Sequence, residues 1–187
     1  MGSCLSLIQN PVSETKSTYI VSTEIPKGVK STQTHHINEE DDLRNTNENE
    51  LSYFSFEGKR FKAKPCNIYD GDTFSILFYY HGEKMKYRCR CLGYDTPEMK
   101  PLKTNPNREK EKEAAKVAKK RFEELLGNDL IDIECHSFDK YGRILVTVYG
   151  VDKTQSVNQM MINEGHGISY DGGTKKKFEE RSLGDEE

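Results

Sequence analysis

The chain has 187 residues, 34% of them hydrophobic and 32% charged, which is enough apolar material for one modest core and a tail. Its formal net charge of -3 excludes a global attraction to nucleic acid, so a polyanion would have to be held by a local basic patch. Acidic residues gather at 39–50 and 185–187, which leaves the middle of the chain more basic than the total.

The cysteines predict a reducing environment. They number five and have no paired spacing: Cys4, Cys66, Cys89, Cys91 and Cys135. Cys89 and Cys91 alternate with arginines, so we expect them to face the core as small hydrophobic side chains. The alternative is a zinc site formed by the last four cysteines with His136, although no C-x-x-C spacing supports it.

Residues 1–48 are rich in Ser, Thr, Asn, Lys and Glu without sustained periodicity, which predicts a disordered tether. The tether begins Met-Gly-Ser-Cys-Leu-Ser, which matches the N-myristoylation pattern with Gly2 as acceptor and Cys4 as a candidate for S-palmitoylation. A single myristoyl chain binds membranes with only about 10⁴ M⁻¹, so stable anchoring would need both acyl chains. A chance match to this short pattern is the alternative.

If the signal is used, we expect the protein to be lipid-anchored at the cytoplasmic face of a membrane, and otherwise cytoplasmic. The apolar run at residues 5–8 is too short for a signal peptide or a membrane span, and no Lys or Arg precedes it. Secretion is therefore not expected.

A period-two pattern begins near Leu51 and predicts a meander of three strands. Alternating β-branched and aromatic residues indicate strands at 61–69, 73–80 and 85–92. The intervening segments, 70–72 and 81–83, contain the Gly, Asp and His that favour tight turns.

A long helix is predicted next, capped by Asn105, with Pro106 at its first position and a stop at Gly127. Its apolar stripe should pack on the sheet and comprises Ala114, Ala115, Val117, Ala118, Phe122, Leu125 and Leu126. The lysines lie mostly on other faces of the helix, where a solvated surface is favoured over a nucleic-acid track.

The rest of the chain predicts strands at 130–134 and 144–149, then a helix capped by Ser156 that ends at Gly165. Residues 175–181 could add one or two helical turns.

This order predicts an α+β protein: a five-stranded OB-fold-like β-barrel with two to three helices, preceded by the disordered tail. The domain would span residues 49–183, between the tether at 1–48 and an acidic end at 184–187.

Charged groups concentrate at the end of the third predicted strand. Arg88 and Arg90 are two apart, so they should point to the same face of the strand. Pro97 restricts its own backbone and that of the residue before it, which predicts a rigid, extended turn carrying Asp95 and Glu98. Cations and carboxylates would therefore lie close together on a fixed scaffold.

Three segments resemble the active-site signatures of the staphylococcal nuclease (thermonuclease) family. They are Tyr-Asp-Gly-Asp-Thr at 69–73, Arg-Cys-Leu-Gly-Tyr-Asp-Thr-Pro-Glu at 90–98, and Asp-Lys-Tyr-Gly-Arg at 139–143. One such segment alone would be weak evidence, but all three occur in the family's order and spacing between Arg60 and Tyr170.

The resemblance implies a calcium site whose ligands are Asp72, Asp95 and the carbonyl of Thr96. Asp70 would lie next to these ligands without binding the ion itself. It assigns the general base to Glu98 and the two phosphate-binding arginines to Arg90 and Arg143. Residues near the family's nucleotide pocket are Lys140, Tyr141 and Tyr170. Arg88 has no catalytic counterpart in this pattern.

The function implied is calcium-dependent hydrolysis of DNA and RNA, preferably single-stranded or frayed, leaving 3′-phosphate and 5′-hydroxyl ends. We expect a monomer, and the acylation signal suggests a membrane-tethered member of the family. A catalytically inactive OB-fold module that binds single-stranded nucleic acid or a protein partner is the alternative, and a membrane-tethered scaffold is a third possibility.

Overall fold

A computed structural model describes residues 38–150 and 154–173. The chain divides into two compact units, Met1–Leu51 and Ser52–Glu187. The predicted acylation positions, Gly2 and Cys4, and the predicted turns at 175–181 lie outside the described residues.

The first unit contains helix α1 at Glu39–Asn45 and a 3-10 turn at Glu48–Glu50. Asn38 caps α1 by accepting a hydrogen bond from the backbone N–H of Glu40, and Arg44 pairs with Glu40 one turn later. None of the helix is buried. Residues 39–45, which were predicted to belong to the tether, thus form a helix through local capping and ion pairing, without a core.

The second unit is built on a closed barrel. Its described strands, in chain order, are β1 Arg60–Cys66, β2 Thr73–Tyr80, β3 Glu83–Cys91, β4 Tyr94–Asp95, β5 Ile131–Phe138, β6 Ile144–Tyr149 and β7 Ile168–Ser169. The barrel order is β1-β2-β3-β6-β5, and the short strands β4 and β7 pair separately. Neighbouring barrel strands are antiparallel except for the parallel pair of β3 with β6. The predicted five-stranded OB-like barrel is confirmed.

Strand boundaries follow the turns. His81 and Gly82 both adopt positive φ, at 47° and 82°, which makes a two-residue hairpin turn and starts β3 at Glu83 rather than at residue 85. β5 runs four residues beyond its predicted end because a register shift between Cys135 and Phe138 lets it bend and continue along β6.

The cysteines of β3 and β5 face the core, as was predicted for Cys89 and Cys91. Cys89 and Cys91 are 0% and 1% exposed, and burial raises the pKa of both thiols. Burial, followed by the charge of Glu134, raises the pKa of Cys135 to about 11. These thiols therefore stay protonated and pack as apolar groups.

Helix α2 spans Arg108–Leu126 and starts after Asn107, so the prediction of an Asn105 cap was wrong. Asn105 instead accepts the N–H of Asn107 in a preceding turn and donates its amide to Glu111. The buried face comprises Glu111, Ala115, Ala118, Phe122 and Leu126. Val117, assigned to this face from the sequence, is 56% exposed because the helical period places it on the opposite side.

Helix α3 spans Val157–Asn163, and the predicted cap Ser156 accepts the N–H of Gln159. Among residues 38–150 and 154–173, no helix combines the length and the apolarity that crossing a bilayer requires.

Asn158 on α3 joins the two parallel strands. Its Oδ1 accepts the N–H of Val148 at 2.9 Å, and its Nδ2 donates to the carbonyls of Leu92 and Val146 at 2.8 and 3.0 Å. These bonds satisfy backbone groups at the point where the barrel closes, directly beyond the end of β3.

We expect Asn158→Ala to lower the free energy of unfolding by about 2 kcal/mol or more, because the N–H of Val148 and the carbonyl of Leu92 lose this partner, while the carbonyl of Val146 keeps the N–H of Leu92. Urea unfolding followed by circular dichroism would measure the loss. Asn163→Ala, at an exposed position of the same helix, is the control and should change stability by less than about 0.5 kcal/mol. An equally small effect at Asn158 would contradict this role.

Candidate active site

A cavity of about 1080 Å³ lies where the start of β2, the end of β3 and the β5–β6 turn meet. Most of the site residues predicted from the sequence line it: Asp70, Arg90, Glu98, Lys140, Tyr141, Arg143 and Tyr170. Asp72, Asp95 and Thr96 are buried, and Asp72 and Asp95 contact Arg90 directly. The structure therefore brings together side chains that are far apart in the sequence.

Arg90 connects two buried aspartates. Its Nη1 lies 3.0 Å from Oδ2 of Asp72, and its Nη2 lies 2.7 Å from Oδ1 of Asp95. Burial alone would lower the pKa of this guanidinium, but the charges of Asp72 and Asp95 raise it, so Arg90 stays charged. One cation therefore fixes both carboxylates beside the cavity.

The turn between β1 and β2 is held tightly against the next loop. The Tyr94 hydroxyl donates to the Gly71 carbonyl at 2.7 Å, and the Thr96 N–H donates to Oδ2 of Asp72 at 3.4 Å. A Cβ atom on Gly71 would lie only 2.9 Å from Cγ2 of Thr96 and 3.1 Å from Cβ of Ala118. Glycine is thus what allows the Asp72 turn to approach the segment that carries Asp95.

Arg143 reaches the same place from the β5–β6 turn. Its Nε donates to Oδ2 of Asp139 at 2.6 Å, while its Nη1 donates to the hydroxyl of Thr73 at 3.2 Å. That hydroxyl donates in turn to Oδ1 of Asp72 at 2.7 Å. Partial burial opposes ionisation of Asp139, but the hydrogen bonds from Arg143 and from the Tyr141 N–H hold the pKa of Asp139 below its ordinary value.

The donor set fits a divalent cation. Three buried carboxyl groups, those of Asp70, Asp72 and Asp95, stand against the single buried guanidinium of Arg90. Burial and then the charge of Asp72 raise the pKa of Asp70 to about 8. Within the described residues no group of three or more His, Cys, Asp or Glu is arranged to chelate a metal.

Glu98 is held by a residue that the sequence analysis missed. Glu111, 5% exposed on α2, accepts the backbone N–H of Glu98 at 3.1 Å and the amide of Asn105 at 2.6 Å. It therefore ties both ends of the loop between β4 and α2 to the helix. The available signal was its position one turn before Ala115, on the buried stripe of α2.

Two tyrosines flank the arginines. The Tyr141 ring lies 5.4 Å from Cζ of Arg143 and 5.2 Å from Nζ of Lys140, and the Tyr170 ring lies 5.6 Å from Cζ of Arg90. The backbone N–H of Tyr170 donates to the Gly93 carbonyl, next to the pairing of β4 with β7. Aromatic faces thus border both guanidiniums, which suits stacking of bases beside a phosphate.

The barrel and its carboxylate–guanidinium cavity define a nuclease-like domain of the OB class. Residues 88–185, just over half of the chain, match the family described as staphylococcal nuclease homologue. The chain belongs to this family, which makes it a nuclease-type hydrolase with nucleic acids as the class of substrate. No curated protein matches the chain.

Proposed function

We propose that the protein is a calcium-dependent phosphodiesterase that cleaves single-stranded or frayed DNA and RNA. The observation that carries this proposal is the sharing of Arg90 by Asp72 and Asp95 at the edge of a cavity that Arg143 and Glu98 also line. The proposal is supported because groups that could bind a cation, donate to a phosphate and accept a proton lie close together there.

Asp72, Asp95 and the carbonyl of Thr96 would hold the calcium ion, because calcium prefers hard oxygen ligands and tolerates several waters. When bound, calcium would polarise the phosphate and favour ionisation of a water molecule. The close approach of Gly71 to Thr96 and the bond from the Tyr94 hydroxyl to Gly71 would fix the position of Asp72 relative to Asp95.

Arg90 and Arg143 would grip the phosphate that is cleaved. A guanidinium donates two parallel hydrogen bonds to two phosphate oxygens, and its charge offsets the charge that develops during attack. Two unit charges 4 Å apart interact by about 4 kcal/mol at an effective dielectric constant of 20, so two arginines can lower the barrier by several kcal/mol.

Glu98 would accept the proton of the attacking water, a step that typically contributes about 10²- to 10⁴-fold. Lys140, Tyr141 and Tyr170 would hold the flanking nucleotide by charge and stacking, which gives little sequence preference. Membership of the family leads us to expect 3′-phosphate and 5′-hydroxyl products.

The test is cleavage of an end-labelled single-stranded 12-nucleotide DNA and its RNA counterpart by the full chain. We expect both to be cut in millimolar calcium, neither in excess chelator, and mass spectrometry to find 3′-phosphate ends. Asp95→Asn should be inactive, while Asp129→Asn at an exposed site should cut normally. Full cutting in chelator would refute the metal assignment, and binding without cutting in calcium would favour the inactive module.

Glu111 gives a separate prediction, because it positions Glu98 without reaching the substrate. We expect Glu111→Ala to lower kcat by about 10- to 100-fold with little change in KM, since a small displacement of a reacting group costs this much. The control is Glu113→Ala, on the exposed face of the same helix.

A double-mutant cycle separates positioning from general destabilisation. If Glu111 acts through Glu98, Glu111→Ala should add almost nothing to the loss caused by Glu98→Gln. If Glu111→Ala lowers kcat by the same factor in the wild type and in the Glu98→Gln variant, Glu111 only stabilises the fold.

A further inference from the structure

The outward face of the β2–β3 hairpin continues directly from the cavity. Along β2, the buried residues Phe74, Ile76 and Phe78 alternate with residues that point outward. The strand register pairs each outward residue of β2 with an outward residue of β3. Beyond Thr73 and Arg90, these pairs are Ser75 with Arg88, Leu77 with Lys86, and Tyr79 with Lys84. On the other side of β2, Lys64 of β1 pairs with Leu77. We call these seven residues beyond Arg90 the outer strip.

The outer strip is basic and its charge is not neutralised. Lys64, Lys86 and Arg88 are exposed, and none forms an ion pair within the described part of the chain. No outward position of β2 or β3 is acidic. Two lysines of α2 differ, because Lys112 and Lys116 pair with Glu109 and Glu113. The outer strip therefore presents neighbouring uncompensated cations to a polyanion.

Apolar groups are interleaved with these cations. Tyr79 is 61% exposed and Leu77 is 42% exposed on the same face, and Nζ of Lys84 lies 6.0 Å from the Tyr79 ring. Exposed aromatic rings between cations are what a single strand needs, because its bases can stack while its phosphates contact the charges. An anionic membrane surface would need the cations but would gain little from a single exposed ring.

The outer strip is continuous with the site. Ser75 and Arg88 themselves line the cavity beside Arg90. The six residue steps from Arg90 back to Lys84 span about 20 Å at roughly 3.3 Å per step. Strands β2 and β3 also form the face on which OB folds in general bind oligonucleotides.

We propose that the outer strip binds the single-stranded segment that runs out of the cavity, with its phosphates on Lys64, Lys86 and Arg88 and a base on Tyr79. This inference rests on the proposed function only for what happens at the cavity end; binding along the strip needs no cleavage. It makes the length of the substrate, and not only the phosphate being cut, a determinant of affinity.

The test compares Lys64→Ala/Lys86→Ala with the control Lys110→Ala/Lys120→Ala, whose lysines are exposed on α2. Binding of a labelled 12-nucleotide single strand to the full chain would be followed by fluorescence anisotropy in chelator. The strip variant should bind about 20-fold more weakly at 0.1 M salt, and its log–log salt slope should be shallower by about 1.4. Equal affinities for the two double variants would overturn the proposal.

Two further arms identify the ligand and separate this proposal from the previous one. Tyr79→Ala should weaken 12-nucleotide binding by about 10-fold and Tyr79→Phe should restore it, whereas Tyr53→Ala, at a fully exposed ring, should have no effect.

Calcium-dependent cleavage of a dinucleotide should be the same in the wild type and in the strip variant. Absence of that cleavage in both proteins would contradict the nuclease proposal alone. If the strip variant loses binding to phosphatidylserine vesicles and keeps binding to the strand, the surface is a membrane site and the proposal is wrong.

Discussion

Replacing Arg90 by Lys is expected to reduce the rate of strand cleavage by about 10²- to 10³-fold, the usual cost of removing one preorganised donor to a developing negative charge. Lysine keeps the positive charge but loses the planar fork, so it cannot hold Asp72 and Asp95 with separate nitrogens, as Arg90 does at 3.0 and 2.7 Å, and also donate to a phosphate. Initial rates on a 12-nucleotide single strand in saturating calcium would measure the loss.

The control for this substitution is Arg60→Lys, an exposed arginine on β1 that pairs with Glu134. It should cut at the wild-type rate, and thermal unfolding should show that the Arg90 variant is still folded at the assay temperature. Near-normal cleavage by a folded Arg90→Lys protein would show that the guanidinium does not contact the phosphate.

Glu98→Gln is the second substitution with a large expected effect, a loss of about 10²- to 10⁴-fold in kcat. The amide has nearly the same shape as the carboxylate, and the backbone N–H of Glu98 would still donate to Glu111. The loss should therefore come from the missing proton acceptor and not from a moved loop. The measurement is kcat for the 12-nucleotide strand under saturating calcium.

Glu113→Gln is the matched control, because Glu113 is exposed on α2 and pairs with Lys116. It should leave kcat unchanged. A Glu98→Gln enzyme with wild-type kcat would remove Glu98 from the chemistry and leave the arginines and the metal to activate water without it.

The barrel could be predicted because alternation along a strand is a direct consequence of its geometry. Ile144, Val146 and Val148 face the core at every second position of β6, and the same pattern marks Phe74 and Ile76 on β2. This alternation depends on the strand itself and not on which strand pairs with it, so it can be recognised from the sequence alone.

The helix start and the support of Glu98 could not be predicted in the same way. Asn105 and Pro106 have the right chemistry for a cap, but Asn105 is used by Glu111, which lies across the loop from it in space. A glutamate in a segment rich in Glu and Lys suggests a solvated face. Only the packing of α2 against the loop turns Glu111 into a buried acceptor.

The role of Arg88 could be inferred only once the register of β2 and β3 was known. The sequence places it on the same face as Arg90, and the structure adds that Ser75 lies opposite it and that both line the cavity. An arginine outside the family's catalytic pattern thus becomes the first residue of a basic surface, because adjacent strands extend its face beyond the cavity.

Calorimetric titration of the full chain with calcium measures binding of the ion without relying on cleavage. We expect one weak site in the wild type, its loss in Asp95→Asn, and its retention in Asp129→Asn. Unchanged calcium binding after Asp95→Asn, or no binding by the wild type even with a bound oligonucleotide, would contradict the assignment of Asp72, Asp95 and Thr96 as its ligands.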